Sequence, residues 1–348
     1  MTEMETGAVT DPAPAGAVTD RAPDAVTDPA EGEAVVDRAA EAVIDRVMPS
    51  TGGVIPKGRA GRAASASTAS GRPVEPGPAV ELAGVAKVFN AGRPDEVTAL
   101  DGVDLTVGRG EFVSLIGPSG CGKSTLLRLV ADLVPPTGGT VRVADRSARQ
   151  ARRDLAYGIA FQQAGLLDWR TVARNVELPL ELRGLSRRDR QGKAREMLEL
   201  VGLADFAGHY PDQLSGGMQQ RVAIARALAV DPPLLLMDEP FGALDEMTRE
   251  RLQDELLRIC ARKGTSALFV THSIPEAVYL SDRVVVMSAR PGRIVEIVGV
   301  ELGERTEATR QSAAFFAGIT RVREALRGTP ARSAPPAGAD QAAAGAPA

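Results

Sequence analysis

The sequence holds only two cysteines among 348 residues, Cys121 and Cys260, too few for a disulfide framework and consistent with a reducing cytoplasm. Aromatic residues make up 3% of the chain, which leaves little for a base-stacking surface. No run of about 18 apolar residues occurs, so no membrane span is expected. The N-terminal stretch has no apolar signal core, so export by that route is not expected either. The formal charge of −4 is carried by residues 1–73, and the remainder is close to neutral. It lacks the basic field that a non-specific nucleic-acid binder needs, and no nucleic-acid partner is expected.

What the sequence does have is Gly117-Pro118-Ser119-Gly120-Cys121-Gly122-Lys123-Ser124-Thr125. An apolar strand over Phe112–Ile116 precedes it, and a helix is expected from near Ser124. This is the phosphate-cradling pattern G-x-x-x-x-G-K-[ST] in its strand–loop–helix setting. Glycines let consecutive backbone N–H groups turn inward around a phosphate, and the helix start adds unpaired N–H groups and a positive dipole end. Lys123 supplies an ammonium for the β- and γ-phosphates, and the Ser124 hydroxyl is placed to ligate Mg²⁺. Leu126, Leu127, Val130, Leu133 and Val134 recur at helical spacing, so the helix is expected to bury that face.

Two further motifs extend the chemistry. Leu234–Met237 reads as an apolar strand that ends in Asp238 and Glu239. Asp238 suits an anchor for Mg²⁺, and Glu239 would orient and deprotonate an attacking water. Leu214-Ser215-Gly216-Gly217 opens a helix with Ser215 as N-cap and Val222, Ala225 and Ala229 on one face. Glycines at a helix start make a second anion site. One molecule has no use for two such sites on one triphosphate, whereas two molecules facing each other do.

Residues 1–77 read as a tail and linker rich in Ala, Pro and Asp. An Ala-Val-x-Asp unit recurs there from Ala8, Ala17, Ala25, Ala34 and Ala42, and residues 33–47 carry a transient helix pattern. Residues 329–348 form a second Ala/Pro-rich tail. Residues 78–328 form the globular domain. Val80–Val88 and Thr98–Val107 alternate as half-buried antiparallel strands. Thr140–Val143 adds a strand, and Arg187–Val201 a charged helix. Leu234–Met237, Ala267–Val270 and Val284–Met287 read as strands buried on both faces, which argues an α/β fold with a parallel sheet.

Together these motifs resemble the ATP-binding cassette family. The signature loop of that family is Leu-Ser-Gly-Gly-Gln-like, and its other motifs fall in order here. Gln162 resembles the Gln-loop residue that touches Mg²⁺ and the attacking water. Ala243-Leu244-Asp245 resembles the loop that crosses the dimer interface, and His272 the switch histidine at the γ-phosphate. Phe89 matches the aromatic on which adenine stacks. The resemblance implies a P-loop NTPase fold with a parallel core sheet, an antiparallel β subdomain and a helical subdomain carrying the signature. It also implies a head-to-tail homodimer with two ATP molecules held between phosphate loop and signature loop. The implied partners are integral-membrane permease subunits and, through them, an extracytoplasmic solute-binding protein. The implied location is peripheral, on the cytoplasmic face of the cell membrane.

Leu166–Val172, Asp238–Asp245 and Asp282–Arg293 are similar to the ATPases of nitrate, sulfonate and taurine importers, and also to those of importers of pyrimidine-type vitamin precursors. Three residues depart from the pattern: Asp168 in place of Pro, Asp132 in place of Gly, and Ser273 in place of Asp. Trp169 reads equally as a core residue or a permease-docking residue, and His209 as a surface loop residue. A soluble cassette ATPase acting on DNA or ribosomes is the rival reading. One cassette, two cysteines and no sustained heptad run weigh against it.

Overall fold

The computed structural model describes residues 77–328. The repeats, the transient helix and both Ala/Pro-rich tails therefore lie outside the described residues. The chain begins with an antiparallel pair, β1 (Val80–Phe89) and β2 (Val97–Val107), in register from Val80↔Val107 to Phe89↔Val97. It continues through β3 (Phe112–Ile116), α1 (Lys123–Val130), β4 (Gly138–Val143), β5 (Arg146–Ser147), α2 (Ala148–Arg153) and β6 (Gly158–Ala160). Next come three helices, α3 (Val172–Leu182), α4 (Arg187–Leu200) and α5 (Gly216–Leu228). The second half holds β7 (Leu234–Asp238), α6 (Glu246–Lys263), β8 (Ser266–Val270), α7 (Ile274–Leu280), β9 (Arg283–Met287), β10 (Ile294–Gly299) and α8 (Ala313–Arg327).

The strands form two sheets. One is antiparallel with order β2-β1-β4-β5, and the other has order β10-β9-β3-β8-β7-β6. In the second sheet β9, β3, β8, β7 and β6 run parallel, and β10 is an antiparallel edge. Alternate residues of the parallel strands enter two different cores. Phe112, Leu235, Met237, Phe269 and Val286 share a core with the helices α3–α8. Val113, Leu115, Leu236, Val270 and Val285 face α1 and the antiparallel sheet. Both faces are covered, which is why these strands read as unbroken apolar runs.

Helix α1 lies between the sheets and buries Leu126, Leu127, Leu129 and Val130 almost completely. Each contributes about 1.5–3 kcal/mol of burial free energy. The helix is shorter than its apolar spacing suggests. It stops at Val130, and Asp132 takes a left-handed backbone (φ 53°). Leu133 and Val134 therefore pack on the same core from the turn rather than from the helix. The left-handed turn accounts for the Gly usual at position 132. Asp tolerates that conformation better than most residues, and here its carboxylate also accepts a hydrogen bond from Arg152 Nε at 2.9 Å.

The helical layer is fixed to the sheet at one tight point. At Gly158 of β6 a Cβ would stand 2.1 Å from the Ala227 carbonyl oxygen of α5. We expect Gly158→Ala to destabilise the protein by about 1–3 kcal/mol through overpacking, read as a lowered denaturant midpoint. An unchanged midpoint would contradict this packing.

Candidate functional site

The phosphate loop links the buried strand β3 to α1. Gly122, the N-cap of α1, has φ 103°, and a Cβ there would stand 2.9 Å from Ala99 O and 2.7 Å from Leu100 Cδ2. Only glycine takes that backbone without strain. The Lys123 ammonium is buried and donates to Gly117 O (2.9 Å) and Pro118 O (3.1 Å), so it already lies against the loop it would serve. Cys121 packs beside it, fully buried, and burial pushes its thiol pKa up.

Asp238 closes strand β7 inside the core. Its carboxylate accepts a hydrogen bond from Ser124 Oγ at 2.9 Å, which joins the two halves of the expected Mg²⁺ site. Burial is the main cause that pushes its pKa up to about 6, with the Ser124 hydrogen bond opposing the shift. The Arg128 and Lys123 charges also oppose it, and a desolvated carboxylate of this kind is suited to a hard cation. Among the described residues no three His, Cys, Asp or Glu side chains are grouped to hold an ion. A Mg²⁺ here would therefore rely on phosphate oxygens for the rest of its shell.

Glu239 follows with a left-handed backbone (φ 45°) and donates its N–H to Val270 O at 2.9 Å. This turns its carboxylate off the strand line and toward His272, whose Nδ1 lies 3.0 Å from Glu239 Oε2. His272 is anchored through its neighbours. Thr271 Oγ1 donates to Glu276 at 2.6 Å, and Ser273 caps α7 by accepting the Glu276 N–H at 3.4 Å. An N-cap takes Ser as readily as Asp, so Ser273 caps α7 as an Asp at this position could.

A cleft of about 230 Å³ gathers most of these groups, but Gly117, Pro118 and the buried Asp238 are not in its lining. It is lined by Phe89, Ser119 to Thr125, Gln162, Glu239 and His272, together with Val97, Ala99, Arg128 and Arg290. Phe89 sits half-buried at the end of β1, with the Lys87 ammonium 4.9 Å from its ring centroid. A larger groove of about 510 Å³ between β10 and α8 holds Glu296, Arg321 and Glu324 but no nucleophile and no phosphate-binding turn.

Ser215, Gly216, Gly217 and Asp245 are absent from the lining of the cleft. Ser215 caps α5 by accepting the Met218 N–H at 3.3 Å and is exposed. Gly217 lies against the Ala243 carbonyl, where a Cβ would be 2.9 Å away. Asp245 caps α6 by accepting the Thr248 N–H at 3.0 Å, and that hydrogen bonding lowers its pKa. The signature and Asp245 loops thus meet each other, apart from the phosphate cleft of their own chain.

Sequence reasoning missed the supports of the Gln162 loop. Gln220 Nε2 donates to Phe161 O at 2.9 Å, and Arg226 donates to Ala164 O (2.8 Å) and Gly165 O (2.7 Å). Both belong to α5, so the signature helix holds the Gln162 loop on either side. Burial pulls the Arg226 pKa down to about 10. The core reading of Trp169 is overturned, because its side chain is 75% exposed. The Trp169 loop is held by the buried Asn175 side chain, which accepts from Leu167 N–H (2.8 Å) and donates to Leu167 O and Arg170 O. His209 is exposed on its loop, as expected.

Comparison with known proteins decides the family. The family model described as ABC transporter matches residues 100–242. An uncharacterized ABC transporter ATP-binding protein of Methanocaldococcus jannaschii is 52% identical over 221 residues, or 64% of this chain and 81% of that protein. The chain belongs to the ABC transporter family of ATP-binding cassettes. The cassette is also 45% identical over 245 residues to the taurine import ATP-binding protein TauB of Rhizobium johnstonii, covering 70% of this chain and 93% of that one. Among solved structures it is similar to a dimeric, post-hydrolysis state of an ATP-binding cassette bound to ADP and Pi. That match has a TM-score of 0.60 and 38% identity, over 64% of this chain and 99% of the other.

The buried Asp238 generates a test that separates function from stability. Desolvation is the largest influence on Asp238, so removing its charge while keeping a hydrogen-bond acceptor relieves that cost. We expect Asp238→Asn to melt at or above the wild-type temperature without nucleotide while losing at least about 100-fold in ATP hydrolysis. A variant that melts several degrees lower would contradict the reading of Asp238 as a strained carboxylate.

Proposed function

We propose that this cassette is the ATP-hydrolysing subunit of a bacterial importer, in which ATP binding and hydrolysis drive solute uptake through a separate permease. The observation that carries the reading is the single cleft that holds the phosphate loop, Phe89, Gln162, Glu239 and His272, while the exposed signature loop stands apart. ATP stacks its adenine on Phe89 and lays its phosphates along Gly117–Thr125. Lys123 leaves the loop carbonyls for the β- and γ-phosphates. Glu239 accepts the proton of the attacking water, and His272, already within hydrogen-bond reach of Glu239, orients the γ-phosphate side.

Ser124, Asp238 and Gln162 would hold Mg²⁺, which when bound neutralises charge on the β- and γ-phosphates. The second anion site, Ser215–Gly217, closes over the nucleotide of a second copy, and Asp245 lies at that junction. Closure on ATP and reopening after hydrolysis make the work stroke. The homodimer is peripheral, on the cytoplasmic face of the cell membrane. Among the described residues no helix is long and apolar enough to cross a membrane, so passage of the solute falls to permease subunits fed by an extracytoplasmic solute-binding protein. Relatives named for taurine import support a solute of the nitrate, sulfonate or taurine type.

Trp169 gives the permease a place to dock: a large apolar side chain left in water on a loop that Asn175 holds rigid. The test is copurification of the tagged chain from native membranes in mild detergent. The wild type should bring a multi-span permease, and Trp169→Ala should recover at least about fivefold less of it with unchanged ATP binding. Recovery of ribosomes, nucleic acid or soluble partners alone would overturn the importer reading.

A further inference from the structure

The segment from Ser288 to Arg293, which leaves the end of β9, is fastened to the phosphate loop. Gly292 donates its N–H to Ala99 O (2.9 Å), and its carbonyl accepts the Asp101 N–H (3.1 Å). It lies so near Cys121 that a Cβ would stand 2.0 Å from the Cys121 carbonyl oxygen. Ser288 Oγ donates to Pro291 O and accepts the Arg293 N–H, both at 2.9 Å, which closes the turn on itself. Arg293 is ion-paired with Asp101 of β2. The turn is therefore a fixed platform against the nucleotide cleft.

Arg290 stands at its tip. Its Nε donates to the Gly120 carbonyl at 3.2 Å, and its Nη2 comes within 3.3 Å of where a Cβ on Gly120 would be. The side chain lines the same cleft as Phe89, Ser119, Lys123 and Gln162, and it is exposed. Among the described residues it forms no ion pair with a carboxylate, unlike Arg293 three positions on. Lys123, by contrast, is buried and bonded to two carbonyls. A guanidinium with free Nη donors, clamped by its Nε to a phosphate-cradling loop, is built for a phosphate.

We infer that Arg290 is a further nucleotide-binding residue, whose Nη groups pair with the phosphate chain of the bound nucleotide while Nε holds Gly120. This rests on the reading of the cleft as the ATP site. It adds a positive charge to the mouth of that site from a segment outside the loop, the carboxylate pair and the switch histidine. Because the pair is part-solvated, its expected effect is about three- to tenfold in affinity.

The test is binding of a fluorescent ATP analogue to the full chain, with Arg290→Gln, Arg290→Lys and Lys123→Ala compared. Gln keeps a donor for the Gly120 carbonyl but loses the charge, whereas Lys keeps the charge. Arg290→Gln should bind about three- to tenfold more weakly, with a shallower dependence of affinity on salt, and Arg290→Lys should stay within about twofold of wild type. Wild-type affinity in Arg290→Gln, or equal losses in the Gln and Lys variants, would overturn the inference, the second outcome reducing Arg290 to a brace for Gly120. Wild-type affinity in Lys123→Ala would instead sink the nucleotide reading of the whole cleft. Melting temperatures without nucleotide separate loss of charge from loss of fold, and Arg290→Met replaces the Gln variant if that one does not fold.

Discussion

The site depends on one hydrogen bond between parts of the chain more than a hundred residues apart, from Ser124 Oγ to the buried carboxylate of Asp238. It joins the start of α1 to the end of β7, and it can form only if β3, β8 and β7 lie side by side in the observed order. The core supplies that order through apolar burial on both sheet faces. The carboxylate is held where it is poorly solvated, so a cation there is favoured over water. Stability comes from the sheet, and the cost of the buried charge is accepted for function.

A second constraint acts on the loops around the cleft. The Gln162 loop has little structure of its own and is held through Gln220 and Arg226 by the same helix that carries the Ser215–Gly217 start. The Ser215–Gly217 start and the Gln162 loop are therefore joined through one helix. The signature glycines in turn rest on the Ala243 carbonyl, next to Asp245. The signature and Asp245 loops thus pack against each other, on the helix that also holds the Gln162 loop at the chain's own cleft. Trp169, a few residues beyond Gln162, extends the same linkage to the exposed surface.

Much of this was legible in the sequence, for physical reasons. The phosphate loop, Asp238 and Glu239 announce themselves because their chemistry needs particular residues at fixed offsets from a strand end. The parallel strands were legible because burial on both faces removes polar residues from them. Less legible was whatever depends on a side chain reaching a backbone carbonyl. Gln220, Arg226, Asn175 and Arg290 act by bonding carbonyls, which any residue supplies, so no pattern marks the partner. The length of α1 was misread because Leu133 and Val134 keep the helical apolar spacing, while the backbone reversal at Asp132 leaves no periodic trace. Trp169 shows the same limit, since composition does not say which side of a loop an aromatic will face.

The central claim is that the site is completed by a second copy of the chain. Its most direct test uses two chains that both carry Glu239→Gln to slow turnover, one with Ser119→Cys and the other with Ser215→Cys. Both native serines are exposed, while Cys121 and Cys260 are buried. The chains are mixed under mild oxidation with and without ATP. The account predicts a disulfide-linked dimer that forms with ATP and only when both variants are present. Failure of the mixed chains to crosslink with ATP, or a crosslink indifferent to ATP, would contradict it.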